Sequence, residues 1–177
     1  MNFSKEQVKS LRIETGAGIM DCKKALVKTN GNLREAVQYL REEGLAVAQK
    51  IGSRSTKEGI VISYIHTGSK LGVILELNCE TDFVAKKQEF AQLGKNLAIQ
   101  IASNPDLQYI SKNDLPQGLL PEPVGNVVLL DDICFHQPNM TVEEYIKEHI
   151  AFFGENIQVK RFCKFSLEQP TIIAESK

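Results

Sequence analysis

Apolar positions in the N-terminal quarter of the chain recur at the spacing of short helices. Val8 and Leu11 mark one face of a predicted helix that opens at Ser4 and gives out at Thr15-Gly16. Ser4 with Gln7 forms a capping box, and Phe3 before it is placed to staple onto Val8. A second helix is predicted from about Ile19, with Ile19, Cys22 and Leu26 on a shared stripe. Asn30-Gly31 ends it, since glycine accepts the left-handed conformation after a helix. Asn32 with Glu35 reads as another capping box, and Leu33, Ala36, Val37 and Leu40 follow at i, i+3, i+4, i+7. Gly44 is the predicted stop. Helices this short are marginal alone, so residues 1–44 are expected to pack as a bundle of three. Residues 45–57 read as a linker. Leu45 to Lys50 has the character to continue as helix, and Gly52-Ser53-Arg54-Ser55-Thr56 reads as a polar hinge.

The period then changes to two. Ile60 to His66 is β-branched and aromatic, Thr67-Gly68-Ser69-Lys70 turns, and Leu71 to Cys79 follows with Val73, Leu75, Leu77 and Cys79 on one face. Phe90, Leu93, Leu97, Ala98 and Ile101 trace a helical stripe that ends at Asn104-Pro105. A strand is predicted over 126–130, and a helix capped by Thr141 with Glu144 and ended by Gly154. Ile157, Val159, Cys163, Phe165 and Leu167 alternate as a closing strand whose apolar face Arg161 interrupts. The expected fold class is α+β: a three-helix N-terminal bundle, then a small antiparallel sheet over residues 58–168 with helices on one face. Residues 169–177 are expected to fray. The bundle pattern resembles a UBA-type module.

Composition narrows the function classes. A chain of 177 residues with 42% hydrophobic and 24% charged residues is globular in character, and its net charge of −1 gives no basic excess for phosphates. No apolar run approaches the roughly 20 residues that span a bilayer. Met1-Asn2-Phe3 leads directly into a capped helix, without an apolar or Arg-rich leader, so the protein is expected to work where it is made. Cys22, Cys79, Cys134 and Cys163 stand singly, and His66, His136 and His149 have no zinc spacing, so free thiols and no metal or cofactor are expected. No nucleophile elbow, Walker loop or strand-to-helix glycine loop is present. Thr15-Gly16-Ala17-Gly18 joins two helices and reads as a tight turn. Asp131 and Asp132 diverge as sequence neighbours, which argues against a shared proton. Lys160-Arg161-Phe162-Cys163-Lys164-Phe165 interleaves basic and aromatic residues, a pattern that can suit single-stranded nucleic acid. A strand with a core face (Cys163, Phe165) and a solvated basic face (Lys160, Phe162, Lys164) explains it more simply.

One stretch stands out: Glu80-Thr81-Asp82-Phe83-Val84-Ala85-Lys86 sets an aromatic residue beside a carboxylate between a strand and a helix. A large hydrophobe at such a junction ordinarily belongs in the core. Together with Leu11-Arg12 and Thr15 to Leu26, and with Gly154-Glu155-Asn156-Ile157 leading into Val159-Lys160-Arg161-Phe162, it resembles the signature stretches of the elongation factor Ts family, in the same order and across nearly the whole chain. Two stretches depart from that pattern: the chain is short between Pro116 and Val127, and Asp131 to Phe135 replaces a Gln-Pro-containing run. The resemblance implies a non-enzymatic guanine-nucleotide exchange factor for the translational GTPase EF-Tu, in both its GDP-bound and nucleotide-free states. By motif position, Thr81, Asp82, Phe83 and Val84 would form the exchange motif, with Asp82-Phe83 inserted near the magnesium site of the GTPase. Arg12, Met20 and Lys23 of the N-terminal module would form a second contact. It also implies a homodimer through the closing strand, and a bacterial cytoplasm or plastid stroma as the compartment. A UBA-like adaptor without exchange activity is the rival expectation.

Overall fold

The computed structural model describes residues 3–117 and 127–176. Helix α1 spans Lys5–Thr15, and the Ser4–Gln7 capping box closes its start in both directions. Such a cap contributes about 1 kcal/mol. Gly16, at φ +67°, turns the chain into α2, Ile19–Lys28. Val8, Leu11, Cys22, Ala25, Leu26 and Ala36 form the interior of this bundle, with Phe3 packed against it. Ile19, expected on the buried stripe, is instead exposed.

Helix α3 runs from Leu33 to Ile51, straight through Gly44. Asn32 caps it as expected, but Glu35 answers through the Asn32 side-chain amide rather than its backbone. Gly44 fails as a stop because it serves tertiary packing. A Cβ there would sit 3.0 Å from the Cβ of Ala151 on α6 (Val142–Phe153). The last turns of α3 thus belong to the larger core, which buries Ala48 and Ile51. The expected hinge is tied at several points, Asn156 Nδ2 donating to the carbonyls of Gly52 (3.0 Å) and Arg54 (2.6 Å).

The sheet is antiparallel with order β1-β2-β3-β4. Strands β1 (Glu58–Ile65) and β2 (Leu71–Cys79) form the expected hairpin, and β2 buries Val73, Leu75, Leu77 and Cys79. After the one-turn helix α4 (Asp82–Ala85), α5 (Gln88–Ser103) covers the inner face with Phe90, Leu93, Leu97, Ala98 and Ile101. The strand expected over 126–130 is reduced to one parallel bridge, Tyr109 to Val128, and Asn126 lies outside the described residues, as does most of the short stretch before Val127. Strand β3, Gln158–Ser166, corrects the alternation read from sequence. Leu77 pairs Val159 but Glu76 pairs Arg161, so Lys160 is an extra residue in a β-bulge. Beyond it every side chain changes sides. Phe162 and Lys164 enter the core, while Phe165 and Leu167 face solvent. Where a frayed tail is expected, Ile172–Glu175 forms β4 against β3.

Helix α6 carries a partly buried histidine. His149 Nδ1–H donates to the Tyr145 carbonyl at 2.8 Å, and its ring lies edge-on to Tyr145 and tilted towards Phe153. Burial pushes its pKa below the ordinary value, and the carbonyl only partly restores it. The unfolded chain accepts a proton near the ordinary pKa of about 6.5 that the native site resists, so stability held above that pH is lost as pH falls. Wild type should therefore lose thermal midpoint more steeply than His149→Leu between roughly pH 7.5 and 5.5. Equal slopes in the two pH series would show that His149 titrates as it does in the unfolded chain.

Candidate functional site

The β2–α5 junction is built to present one ring. Thr81 leaves β2 in an extended conformation and caps α4, its hydroxyl accepting from the Val84 N–H at 3.4 Å. Val84 is turned into the core at 3% exposure, anchoring the turn from below. Between them Phe83 stands out in water, 78% exposed. Asp82 is half-exposed and accepts from Lys86 Nζ at 2.6 Å across one turn. That hydrogen bond holds the Asp82 carboxyl below the usual carboxylate range.

Behind this turn lies a set of carboxylates. Glu155, just after the left-handed Gly154 that ends α6, accepts from both donors of Thr81, the backbone N–H at 3.0 Å and the hydroxyl at 2.6 Å. Glu80 accepts from the Asn156 N–H at 2.7 Å and pairs with Arg54 at 3.6 Å. Asn156 is itself buried and reaches back to the end of α3. The junctions α3–β1, β2–α4 and α6–β3 are thus bound together in one place.

The three residues singled out on the N-terminal module, Arg12, Met20 and Lys23, are all exposed, with Met20 62% exposed. Met20, Lys23 and Val27 are spaced along one face of α2, and Ile13, Ile19, Met20 and Val27 all stand in solvent. Sequence reading missed Ile13 and Val27. The available signal is that α2 has more apolar residues than one buried stripe can use. The module meets the core through α6: Arg41 pairs with Glu148 at 2.9 Å, and a Cβ on Gly16 would lie 2.6 Å from the Phe152 ring. Burial raises the Glu148 pKa and Arg41 only partly offsets this, so the ion pair is a weak source of stability.

The other candidate chemistry disperses. Asp131 pairs with Lys112, whereas Asp132 accepts from Gln100 and Asn104. No group of three or more metal-ligating side chains occurs among the described residues. The basic face expected on the closing strand does not exist as such: Lys164 is buried, Arg161 is bonded to Glu76 at 2.6 Å, and Lys160 reaches the Ser176 carbonyl. Beyond the row of Glu76, Arg161 and Glu175, the sheet's outer face is largely apolar instead. Ile74 and Ile173 flank the half-buried Cys163 in one row, with Phe165 beside Gly72 and Ile65 in the next.

Fold and site together define an α+β protein with a helical module and an aromatic tip presented on a braced turn. A family model described as Elongation factor TS matches residues 4–124 and 80–175. The chain is 43% identical over 189 residues to the chloroplastic elongation factor Ts of Phaeodactylum tricornutum, covering 90% of this chain and 94% of that protein. It is also 43% identical over 194 residues to elongation factor Ts of Rippkaea orientalis, covering 93% and 78%. Elongation factor Ts of Thermodesulfovibrio yellowstonii is 43% identical over 198 residues, covering 96% and 98%. The chain belongs to the elongation factor Ts family, and its role is that of a translation elongation factor. Relatives of both bacterial and chloroplast origin match it, and no helix among the described residues is long and apolar enough to cross a membrane.

Proposed function

We propose that this protein is a guanine-nucleotide exchange factor for EF-Tu, with no chemistry of its own, acting in a bacterial cytoplasm or a plastid stroma. Binding that favours the nucleotide-free GTPase over the occupied one weakens nucleotide by the same ratio that nucleotide weakens the factor. The observation that carries this reading is the exposure of Phe83 in the family's own motif. An aromatic ring held in water on a braced turn has its apolar burial still to gain, and a nucleotide-free GTPase that opens a slot for it offers that gain. Asp82 and Phe83 insert near the partner's magnesium site, Phe83 as the wedge and Asp82 as the group that orients the loop. Thr81 and Val84 belong to the same contact through the backbone they fix. Arg12, Met20 and Lys23 grip the GTP-binding domain, with residues 1–44 as one contact unit and the core over 58–168, completed by the last turns of α3 and by β4, as the other. The test is release of a fluorescent GDP analogue from EF-Tu. Acceleration at catalytic amounts of the factor supports exchange, and an unchanged rate at saturation leaves the UBA-like adaptor as the better account.

The outer sheet face supports a second copy of the chain as a further partner. Ile65, Ile74, Phe165 and Ile173 are exposed on it in two adjacent rows, apolar surface of the kind that marks an interface. Sedimentation of the wild type is expected to give a dimer's mass, and Ile74→Lys a monomer's with the thermal midpoint retained. A wild type that sediments as a monomer at high concentration would remove the dimer.

A further inference from the structure

We propose that Glu155 is a positioning residue for exchange: its carboxylate takes both donors of Thr81 and so fixes the direction in which Phe83 points. The inference rests on the exchange-factor reading above and adds to it a residue outside the Asp-Phe motif.

Phe83 makes too little contact with the rest of the protein to set its own direction, being 78% exposed. The backbone beneath it must do so, and α4 is a single turn of four residues, far too short to persist by itself. Apolar packing holds one side of that turn, where Val84 is buried and Ala85 also meets the core. Hydrogen bonds hold the other side through Thr81, and Thr81 is held by Glu155. The hydroxyl of Thr81 works in both directions, donating to Glu155 Oε1 at 2.6 Å and accepting from the Val84 N–H at 3.4 Å. A carboxylate is the group this arrangement requires, because it offers two acceptors to two donors. A glutamine of the same shape offers one acceptor and one donor. With its oxygen towards the Thr81 N–H, its NH2 meets the hydroxyl, whose proton loses its acceptor; with the amide reversed, the NH2 confronts the Thr81 N–H, donor against donor.

Glu155 is in turn fixed from behind. Its neighbour Asn156 is 1% exposed, donates its N–H to Glu80 and its side-chain amide to the carbonyls of Gly52 and Arg54. The turn bearing Phe83 is therefore referred, through Glu155 and Asn156, to the end of α3, the helix that runs back into the N-terminal module. The aromatic tip and the module share one frame, which matters for a factor that must engage two parts of a partner at once.

The test compares wild type, Glu155→Gln, Glu155→Ala, Phe83→Ala and the double variant Glu155→Gln/Phe83→Ala in GDP release from EF-Tu, titrating the factor to saturation. Glu155→Gln is expected to lower the maximal release rate about three- to fivefold while moving the half-saturating concentration less than about twofold, because the module's contact is untouched. In the Phe83→Ala background the same change should have no further effect, since there is no ring left to direct. A Glu155→Gln variant with the full maximal rate, or a double variant whose loss is the product of the single losses, overturns the inference. A fluorinated phenylalanine at position 83 gives a readout that needs no partner. Its 19F resonance should narrow and move towards the free amino acid's shift in Glu155→Gln and Glu155→Ala, and an unmoved resonance in both overturns the anchoring. A wild type that fails to accelerate release removes the exchange reading itself, whereas the 19F response still reports whether Glu155 holds the turn.

Discussion

Replacing Phe83 with alanine is expected to lower the GDP-release rate at saturating factor about tenfold, equal to ~1.4 kcal/mol of lost discrimination between the occupied and empty GTPase. Burying a phenyl ring fully contributes on the order of 2–3 kcal/mol, and only the part gained in the nucleotide-free complex alone accelerates release. The fold itself should be indifferent to the change. Phe83 is exposed in the free protein, and substitutions at such positions stay within about 0.5 kcal/mol of neutral. The combination is diagnostic: a large kinetic loss with an unchanged thermal midpoint. A mutant with wild-type release rates would remove the wedge from the mechanism while leaving exchange intact. A mutant that melted several degrees lower would mean that the ring supports the fold.

The largest effect on stability is expected at Lys164. This lysine is 2% exposed, and its ammonium donates to the carbonyls of Asn104 (2.9 Å) and Pro105 (2.8 Å), where α5 has ended. A cation there satisfies oxygens that no helical N–H can reach and complements the negative end of the helix dipole. Burial pushes the Lys164 pKa down, with Asp106 acting in the opposite sense, so the site is tight enough to be felt. Hydrogen bonds to charged groups contribute about 1.5–3 kcal/mol, and Lys164→Met should cost about that much, seen as a lower denaturant midpoint at constant slope. The methionine fills the channel left by the lysine stem, so a cavity would not account for the loss. Equal midpoints for the two proteins would mean that the desolvation of the charge already offsets both bonds.

Much of the scaffold is legible in the residues because its signals are local. Ser4 with Gln7 and Thr141 with Glu144 close their helices as their spacing predicts, and β2 buries every second residue. What is not legible depends on partners distant in sequence. Gly44 reads as a stop, yet the methyl of Ala151 needs the space a side chain would take. The alternation through Cys163 and Phe165 is real, but Lys160 shifts its phase, and a bulge has no signature in a single strand's pattern. Phe165 and Lys164 consequently exchange the environments that their chemistry suggests. At the candidate site, the position of the Asp-Phe motif follows from its resemblance, whereas the outward direction of Phe83 does not: a phenylalanine by itself argues for the core. Glu155 belongs to the Gly154-Glu155-Asn156-Ile157 stretch that carries the resemblance, but its hold on Thr81, seventy-four positions away, exists only once the chain is folded.

The contact between Gly16 and Phe152 works as a pivot. Helix α1 ends there, and its eleven residues extend about 16 Å away from the contact at 1.5 Å per residue. A tilt of about 5° at that point would move the distant end of α1 by more than 1 Å, on the scale at which a contact surface gains or loses its fit. A side chain at residue 16 would be strained by its left-handed backbone and would push on the Phe152 ring, which a Cβ there would reach at 2.6 Å. Alongside α3 and the Arg41–Glu148 pair, the aim of the surface carrying Arg12, Met20 and Lys23 thus depends on the thickness of one missing methyl group, at a place that need touch no partner at all.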